Sequence, residues 1–333
     1  MMERLHRLAA VFGPSGREEK VAAVLRELIE PHVDEVGIDR LGNLVAVRKG
    51  RPGGKRVMLS ANMDSVGALA LKISEKGMIG LAPVGNLKVQ SAIGQRVVWS
   101  SGAVGILQHE PAEPKDLDFR KLWCDVGASS RAEAEAAVRM GDLCAFVGEL
   151  QELGDMVAGP NLDNRAGCAV LLEVAGDLTD CEHEVVFTFT CQGAVGHRGA
   201  AAAAFGAEPD LSLVLDASSA GDVPGGPKTE VRLGGGPVLR LKDAGFMPHA
   251  LLSQEVQSVA AEHSIPLQTE ILTAAAGVHT DATGISLART GVPTAIIGVP
   301  TRYRGTAAEM VNRRDLYGAA DLVRKLLQKP LGV

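Results

Sequence analysis

Gly159-Pro160-Asn161-Leu162-Asp163-Asn164-Arg165-Ala166-Gly167, followed by the apolar run Cys168 to Val174, is the stretch whose reading decides the fold. A carboxylate on a loop that opens a helix is well placed to hold a cation: Asp163 can reach outward while the small residues let backbones approach closely. The bland alternative is an Asp that simply caps a helix beginning near Asn164. What favours the first reading is company elsewhere in the chain, at Asn62-Met63-Asp64, Gln192-Gly193-Ala194, Asp216 and Arg302 to Glu309.

Working outward, Arg165 to Leu178 continues as a helix, and Glu184 to Thr190 is a β-rich run ending at Gln192. A strand from Leu211 to Leu215 ends at Asp216, and further strands are expected at Val238 to Leu241, Gln268 to Leu272 and Thr294 to Val299. Helices are expected at Gly199 to Phe205, Ser253 to His263, Asp281 to Arg289 and Arg314 to Leu327. This alternation indicates an α/β sheet. Upstream, Met2 to Phe12 has apolar residues at helical spacing. Ser15 with Glu18 reads as a capping box for a second helix, whose face carries Val21, Ala22, Leu25, Leu28 and Ile29. A hairpin turns at Leu41-Gly42-Asn43, and Arg56 to Ala61 is a short apolar run typical of a buried strand, delivering Asn62 and Asp64 at its end. Between Ala68 and about Gly154 the character changes to short strands, at 70–73, 77–81, 96–99, 104–108, 122–126 and 143–147, with one helix after Ser129-Ser130. Residues 68–154 therefore read as a small β-barrel inserted into an α/β domain made of 1–67 and 155–333.

The chain has 333 residues, 46% of them hydrophobic, enough for a large core and more than one domain. A net charge of −6 provides no basic field for nucleic acid or anionic lipid, so neither partner is expected. Five Cys, odd in number and without a C-x-x-C pair, speak against a disulfide framework and fit reduced, buried thiols. The charged, amphipathic N-terminus lacks the apolar core of a signal peptide, and no apolar run approaches the ~18 residues of a membrane span. A cytoplasmic location is the expectation.

Five motifs occur in one order: Asn62-Met63-Asp64-Ser65-Val66-Gly67, Leu162 to Gly167, Gln192-x-x-Val195-Gly196-x-Arg198-Gly199-Ala200, Thr280-Asp281-Ala282 and Pro300-Thr301-Arg302-Tyr303. In this the chain resembles the tetrahedral, or TET-type, di-metal aminopeptidases, also called glutamyl or deblocking aminopeptidases and sometimes labelled endoglucanases. Gly94-Gln95-Arg96-Val97-Val98, Asp125-Val126-Gly127-Ala128 and Glu133-Ala134-Glu135-x-x-Val138-Arg139-x-Gly141-Asp142 resemble the family's dimerisation barrel. The likeness spans nearly the whole chain. It implies a zinc-aminopeptidase-like mixed sheet flanked by helices, with the barrel as an oligomerisation insert. It also implies a homo-oligomer built from dimers, a dodecamer among the assemblies open to it, and peptides as ligands.

The family's chemistry, as the resemblance implies it, uses two divalent ions bridged by an Asp, with His, Glu, Asp and a late His completing the two sites. A further Glu is the general base for the bridging water. Two cations lower the water's pKa and hold the peptide carbonyl, and the carboxylate accepts the proton. Asp163 matches the bridge, Asp216 the terminal Asp ligand, and Asp64 the Asp that orients the metal-bound His. Four positions depart from the pattern. Asn62 stands for the first His, Gly193 for the general base, Ala194 for the ligating Glu and Gly305 for the last His. An amide oxygen is a much poorer ligand than imidazole, and two carboxylates with one amide are too few to close a dinuclear site. No tightly bound metal is expected; a divalent cation (zinc, cobalt, manganese or magnesium), if held at all, would sit on Asp163 and Asp216. His197 and His279 are the candidate substitute ligands, and Arg304 and His197 the candidate counter-cations for carboxylates left without metal.

The reading this favours is a catalytically silent relative acting as a peptide-binding or structural subunit. The alternative is an active metal-dependent aminopeptidase with a rearranged site, and weakest is a glycoside hydrolase using Asp163 and Asp216. Two Trp and two Tyr offer few platforms for sugars. If the cleft has kept its geometry, His at 62 and 305 with Glu at 193 and 194 would restore metal binding.

Overall fold

The computed structural model describes residues 1–179, 181–272 and 280–332. Its main sheet has eleven strands. At its centre, Glu184–Thr190, Arg56–Asn62, Leu211–Ser219 and Thr294–Arg302 lie side by side and parallel, and the hairpin Glu35–Ile38 with Leu44–Arg48 extends one edge antiparallel. Beyond Thr294–Arg302 the sheet continues antiparallel through Glu309–Asn312, Met156–Gly159 and Gln151–Leu153, while Val238–Lys242 branches off with Gln268–Ile271 beside it.

The central strands are apolar throughout because both faces are covered. Along Arg56–Asn62, Val57, Leu59 and Ala61 face a layer built from the helices Met2–Ala9, Glu19–Ile29, Leu162–Asp177, Ala250–Glu262 and Arg313–Leu327. Met58 points the other way, against Ala200, Ala203 and Ala204 of the helix Arg198–Ala207 and Ile285 of the helix Asp281–Ile285. The alanine-rich helix lies close on the sheet because its side chains are small. This is the mixed, helix-flanked α/β sheet read from the sequence.

Gly67–Ile73, Ile79–Val84, Leu122–Asp125, Val104–His109, Arg96–Trp99 and Leu143–Phe146 form a closed antiparallel barrel with its own core, in which Trp99, Leu81, Leu107 and Phe146 are buried. Its helix Arg131–Ala137 is capped by Ser130, whose hydroxyl accepts from the Glu133 amide at 3.4 Å.

Local readings failed at three places. Ser15 does not cap the helix Glu19–Ile29; its hydroxyl donates to Asp64, and Glu18 accepts from the amides of Gly16 (2.8 Å) and Gln192 (2.9 Å). A pair that looked like a local capping box instead ties two distant loops together. The strand through Asp216 runs on to Ser219, so Asp216 lies within the sheet. Gln151–Leu153, Met156–Gly159 and Glu309–Asn312 are further strands, three or four residues each and too short to show a periodicity.

Candidate functional site

Parallel strands deliver polar residues at their C-terminal ends, and here these ends line a cleft of about 340 Å³. Asn62 and Asp64 close one strand, the turn Gly193 to His197 follows the next, and Asp216 lies on a third. Asp163, at the start of Leu162–Asp177, and the turn holding Arg304 and Gly305 complete the lining. His279 lies outside the described residues.

Asp64 is buried, and its carboxylate is fully engaged. It accepts from the Ser15 hydroxyl, from Asn62 Nδ2 (3.0 Å) and from the amides of Gly193 (2.9 Å) and Ala194 (2.8 Å). Asn62 is thereby oriented as a ligand would be. Its Oδ1, however, already accepts from Asn164 Nδ2 at 3.0 Å.

The two surviving ligand-position carboxylates both carry a guanidinium. Arg304 Nε donates to Asp163 Oδ2 at 2.8 Å, so Asp163 is an ion-pair partner and not a helix cap. Arg240 Nη1 donates to Asp216 Oδ2 at 2.9 Å, its Nε to Glu270 Oε1 at 2.7 Å, and Nη1 lies 3.5 Å from Asp243 Oδ2. Arg240 is fully buried. Burial alone would raise Asp216, but Arg240, Arg304 and His197 outweigh it and hold the carboxyl below its ordinary range. Arg304 is raised further above the usual arginine value: burial opposes this, and the charges of Asp163 and Asp216 prevail. Glu309 accepts from the amides of Gly305 (2.7 Å) and Asp163 (2.8 Å). Burial and the neighbouring Asp163 charge push it up to about 8 against those donors.

His197 lines the cleft and is held from behind. Its Nδ1 hydrogen-bonds Asp281 Oδ1 at 2.8 Å, while Asp281 Oδ2 accepts from Ser60 (2.8 Å) and Thr190 (2.7 Å) hydroxyls. Burial pulls this imidazole down, yet the bond to Asp281 and the charges of Asp281, Asp216 and Asp64 bring it up to about 9. It is an imidazolium at neutral pH. Arg302, matched to the family motif, pairs with Asp222 at 2.9 Å.

The residues do not fit a pair of divalent ions. No group of three or more His, Cys, Asp and Glu side chains that could hold a metal occurs among the described residues. The surroundings of Gly193 and Gly305 are also tight: side chains crowd the first and a backbone carbonyl the second. Gly305 has φ +76°, and a Cβ there would lie 2.9 Å from the Asn86 carbonyl; a Cβ at Gly193 would lie 2.6 Å from Asn62 Nδ2 and 2.7 Å from Asp64 Oδ1. Side chains restored at 193 and 305 would therefore require these neighbours to move.

Arg240 and Glu270 belong to no motif of the sequence. The available signal was an Arg inside the apolar strand Val238–Lys242, since a buried Arg requires carboxylate partners.

The sequence matches the profile described as M42 glutamyl aminopeptidase over residues 42–322, most of the chain. The chain belongs to the M42 glutamyl aminopeptidase family. A lysyl aminopeptidase of Pyrococcus furiosus is 31% identical over 331 residues, 95% of this chain and 94% of its own length. Aminopeptidase APDkam598 from the archaeon Desulfurococcus kamchatkensis superposes with a TM-score of 0.93 at 34% identity, covering 99% of this chain and 94% of that one. The TET1 peptidase of Pyrococcus horikoshii, described as able to assemble into a tetrahedron or a large octahedral shell, gives 0.87 at 27% identity over 98% and 99% of the two chains. Within this M42 chain no described helix is long and apolar enough to cross a membrane.

Proposed function

We propose that this M42 family member has lost the di-metal hydrolytic centre and acts as a peptide-binding or structural subunit of a homo-oligomer. The observation that carries the reading is the guanidinium on each retained carboxylate, Arg304 on Asp163 and Arg240 on Asp216. A divalent ion would have to share both carboxylates with these cations, meeting only the one free oxygen of each, and Asn62, Ala194 and Gly305 offer it no imidazole or carboxylate besides. With Gly193 at the general-base position, proton abstraction loses about 10²–10⁴-fold even before the metals are considered.

The barrel, read from the sequence as residues 68–154 and formed by strands from Gly67 to Phe146, is the proposed oligomerisation insert, and 1–67 with 155–333 the cleft-bearing domain. In support, Leu71, Val104 and Met140 of this segment are exposed at 52%, 55% and 65%. Light scattering at micromolar concentration should give a dimer or larger.

Elemental analysis of protein purified with zinc, cobalt or manganese present tests the metal reading: well below two ions per chain is expected, with no release of amino acids from a peptide library. A tightly held stoichiometric pair, or turnover that a chelator abolishes, supports instead an active metal-dependent aminopeptidase and overturns the proposal.

A further inference from the structure

Several polar atoms lining the cleft remain unused after the ion pairs are made. Arg304 spends only Nε on Asp163, and neither of its terminal nitrogens donates to any described residue. His197, an imidazolium held through Nδ1 by Asp281, has no partner among them for its Nε2–H. Lys88 is exposed at the lip on the barrel side, and its ammonium makes no ion pair or hydrogen bond among them. Opposite in sign, Asp163 and Asp216 each use Oδ2 for an arginine and leave Oδ1 without a donor.

From this juxtaposition we infer that the cleft binds a free α-amino acid as its zwitterion, without cleaving it. The ammonium is taken by the free oxygens of Asp163 and Asp216, and the carboxylate by the free donors of Arg304, His197 and Lys88. A guanidinium with both terminal nitrogens available suits a carboxylate's two oxygens, and a fixed imidazolium adds a charge-assisted bond. An ammonium has three donors and satisfies two carboxylate oxygens. An anion alone would leave those oxygens unpaired, and a cation alone the three donors, so a ligand carrying both charges a few bonds apart fits where either separately does not. The cleft volume of about 340 Å³ admits a molecule of this size. Ser15 and Glu18 tie the loops that frame the cleft, so the pairs hold their positions before a ligand arrives.

This inference rests on the metal-free reading of the cleft, and its test is run in the presence of a chelator so that the two can fail separately. The L-amino acids are titrated one by one into the full chain, read by calorimetry and by thermal unfolding. The best binder is then compared with its N-acetyl derivative and its carboxamide. One or more amino acids should raise Tm by about a degree or more at about 10 mM. Blocking either terminus should weaken binding about tenfold or more, since each removes a charged contact. Lys88→Ala, an exposed change that leaves the core untouched, should weaken binding severalfold, and His197→Gln about tenfold. No response to any amino acid, or equal binding of the blocked analogues, overturns the inference. Zinc-dependent peptide hydrolysis would instead overturn the reading beneath it.

Discussion

Replacing Arg240 by Met removes the one cation shared by Asp216, Asp243 and Glu270, which are 4%, 1% and 5% exposed. Removing one partner of a buried pair costs about 3–5 kcal/mol, because the remaining charge stays out of water uncompensated. Methionine fills much of the arginine stem's volume, so the loss is one of charge and hydrogen bonds more than of packing. Unfolding entropy of about 2.1 cal/mol/K per residue over 333 residues is about 0.7 kcal/mol/K, so a loss of about 4 kcal/mol lowers Tm by about 6 °C. The dependence on pH has a definite sign. In the parent protein Asp216 titrates below its unfolded value, so its contribution is complete above about pH 4 and lost only as pH falls through the depressed native value. Without Arg240 the largest opposing charge is gone and burial lifts the native Asp216 carboxyl from its depressed position. As pH falls toward about 4 the variant's Asp216 takes its proton before the parent's does, and the gap to the parent narrows. Thermal and urea unfolding of both proteins between pH 4.5 and 8 measures this. Adding Asp216→Asn and Glu270→Gln to Arg240→Met should recover at least half of the loss. A single-variant loss under about 1 kcal/mol, or a gap constant with pH, would refute the role given to Arg240.

The combination Asn62→His, Gly193→Glu, Ala194→Glu and Gly305→His should still bind fewer than two zinc ions per chain by elemental analysis. A His at φ +76° costs roughly 1–2 kcal/mol, a Cβ at Gly193 would lie 2.7 Å from Asp64 Oδ1, and both guanidiniums remain. Full occupancy would show that the backbone is not committed. Glu309, neutral in the folded state up to about pH 8, lowers stability as pH rises from its unfolded value near 4.5 through that range; Glu309→Gln should flatten this part of the stability profile. An unchanged slope would remove Glu309 as its source. The five cysteines are buried and none is in a disulfide among the described residues, and burial pushes the thiols of Cys124, Cys168 and Cys191 up to about 12. A thiol reagent at neutral pH should find almost none in the folded protein and five after denaturation.

What could be read from the chain was whatever its neighbours along the chain determine. The run Arg56 to Ala61 announces a strand covered on both faces, and each barrel strand announces itself by short apolar stretches between turns. Ser15 and Glu18 show where such reading stops. Their spacing satisfies a capping box, yet their partners Asp64 and Gln192 lie 49 and 174 residues away and claim both side chains. A local hydrogen bond and a distant one compete for the same oxygen, and only the fold decides between them. Arg240 was illegible for a related reason. Nothing near it in sequence reveals that Asp216, 24 residues earlier, will be its partner, because strand order brings them together through Thr294–Arg302. The departures at Asn62, Gly193, Ala194 and Gly305 were visible at once; that Asn62 and Asp64 crowd Gly193, and the Asn86 carbonyl Gly305, was not.

The carboxylates Asp163 and Asp216 constrain what can replace a metal pair. Buried charges of one sign need counter-charge whatever its origin, so loss of the metal ligands without new cations would have left a destabilised cleft. Guanidinium meets that need in one respect and not in another. It matches a carboxylate in charge and hydrogen-bond geometry, and it stays protonated over the whole physiological range. But it has no open coordination position, so it cannot bind a water and lower its pKa toward 7, and it cannot accept a proton in its place. On the proposed reading, Arg304 and Arg240 keep the cleft's shape and its capacity for charged recognition while providing neither the nucleophile nor the base. Recognition and hydrolysis then come apart: the groups that would orient a ligand's charged ends are proposed to remain, without those that would attack it.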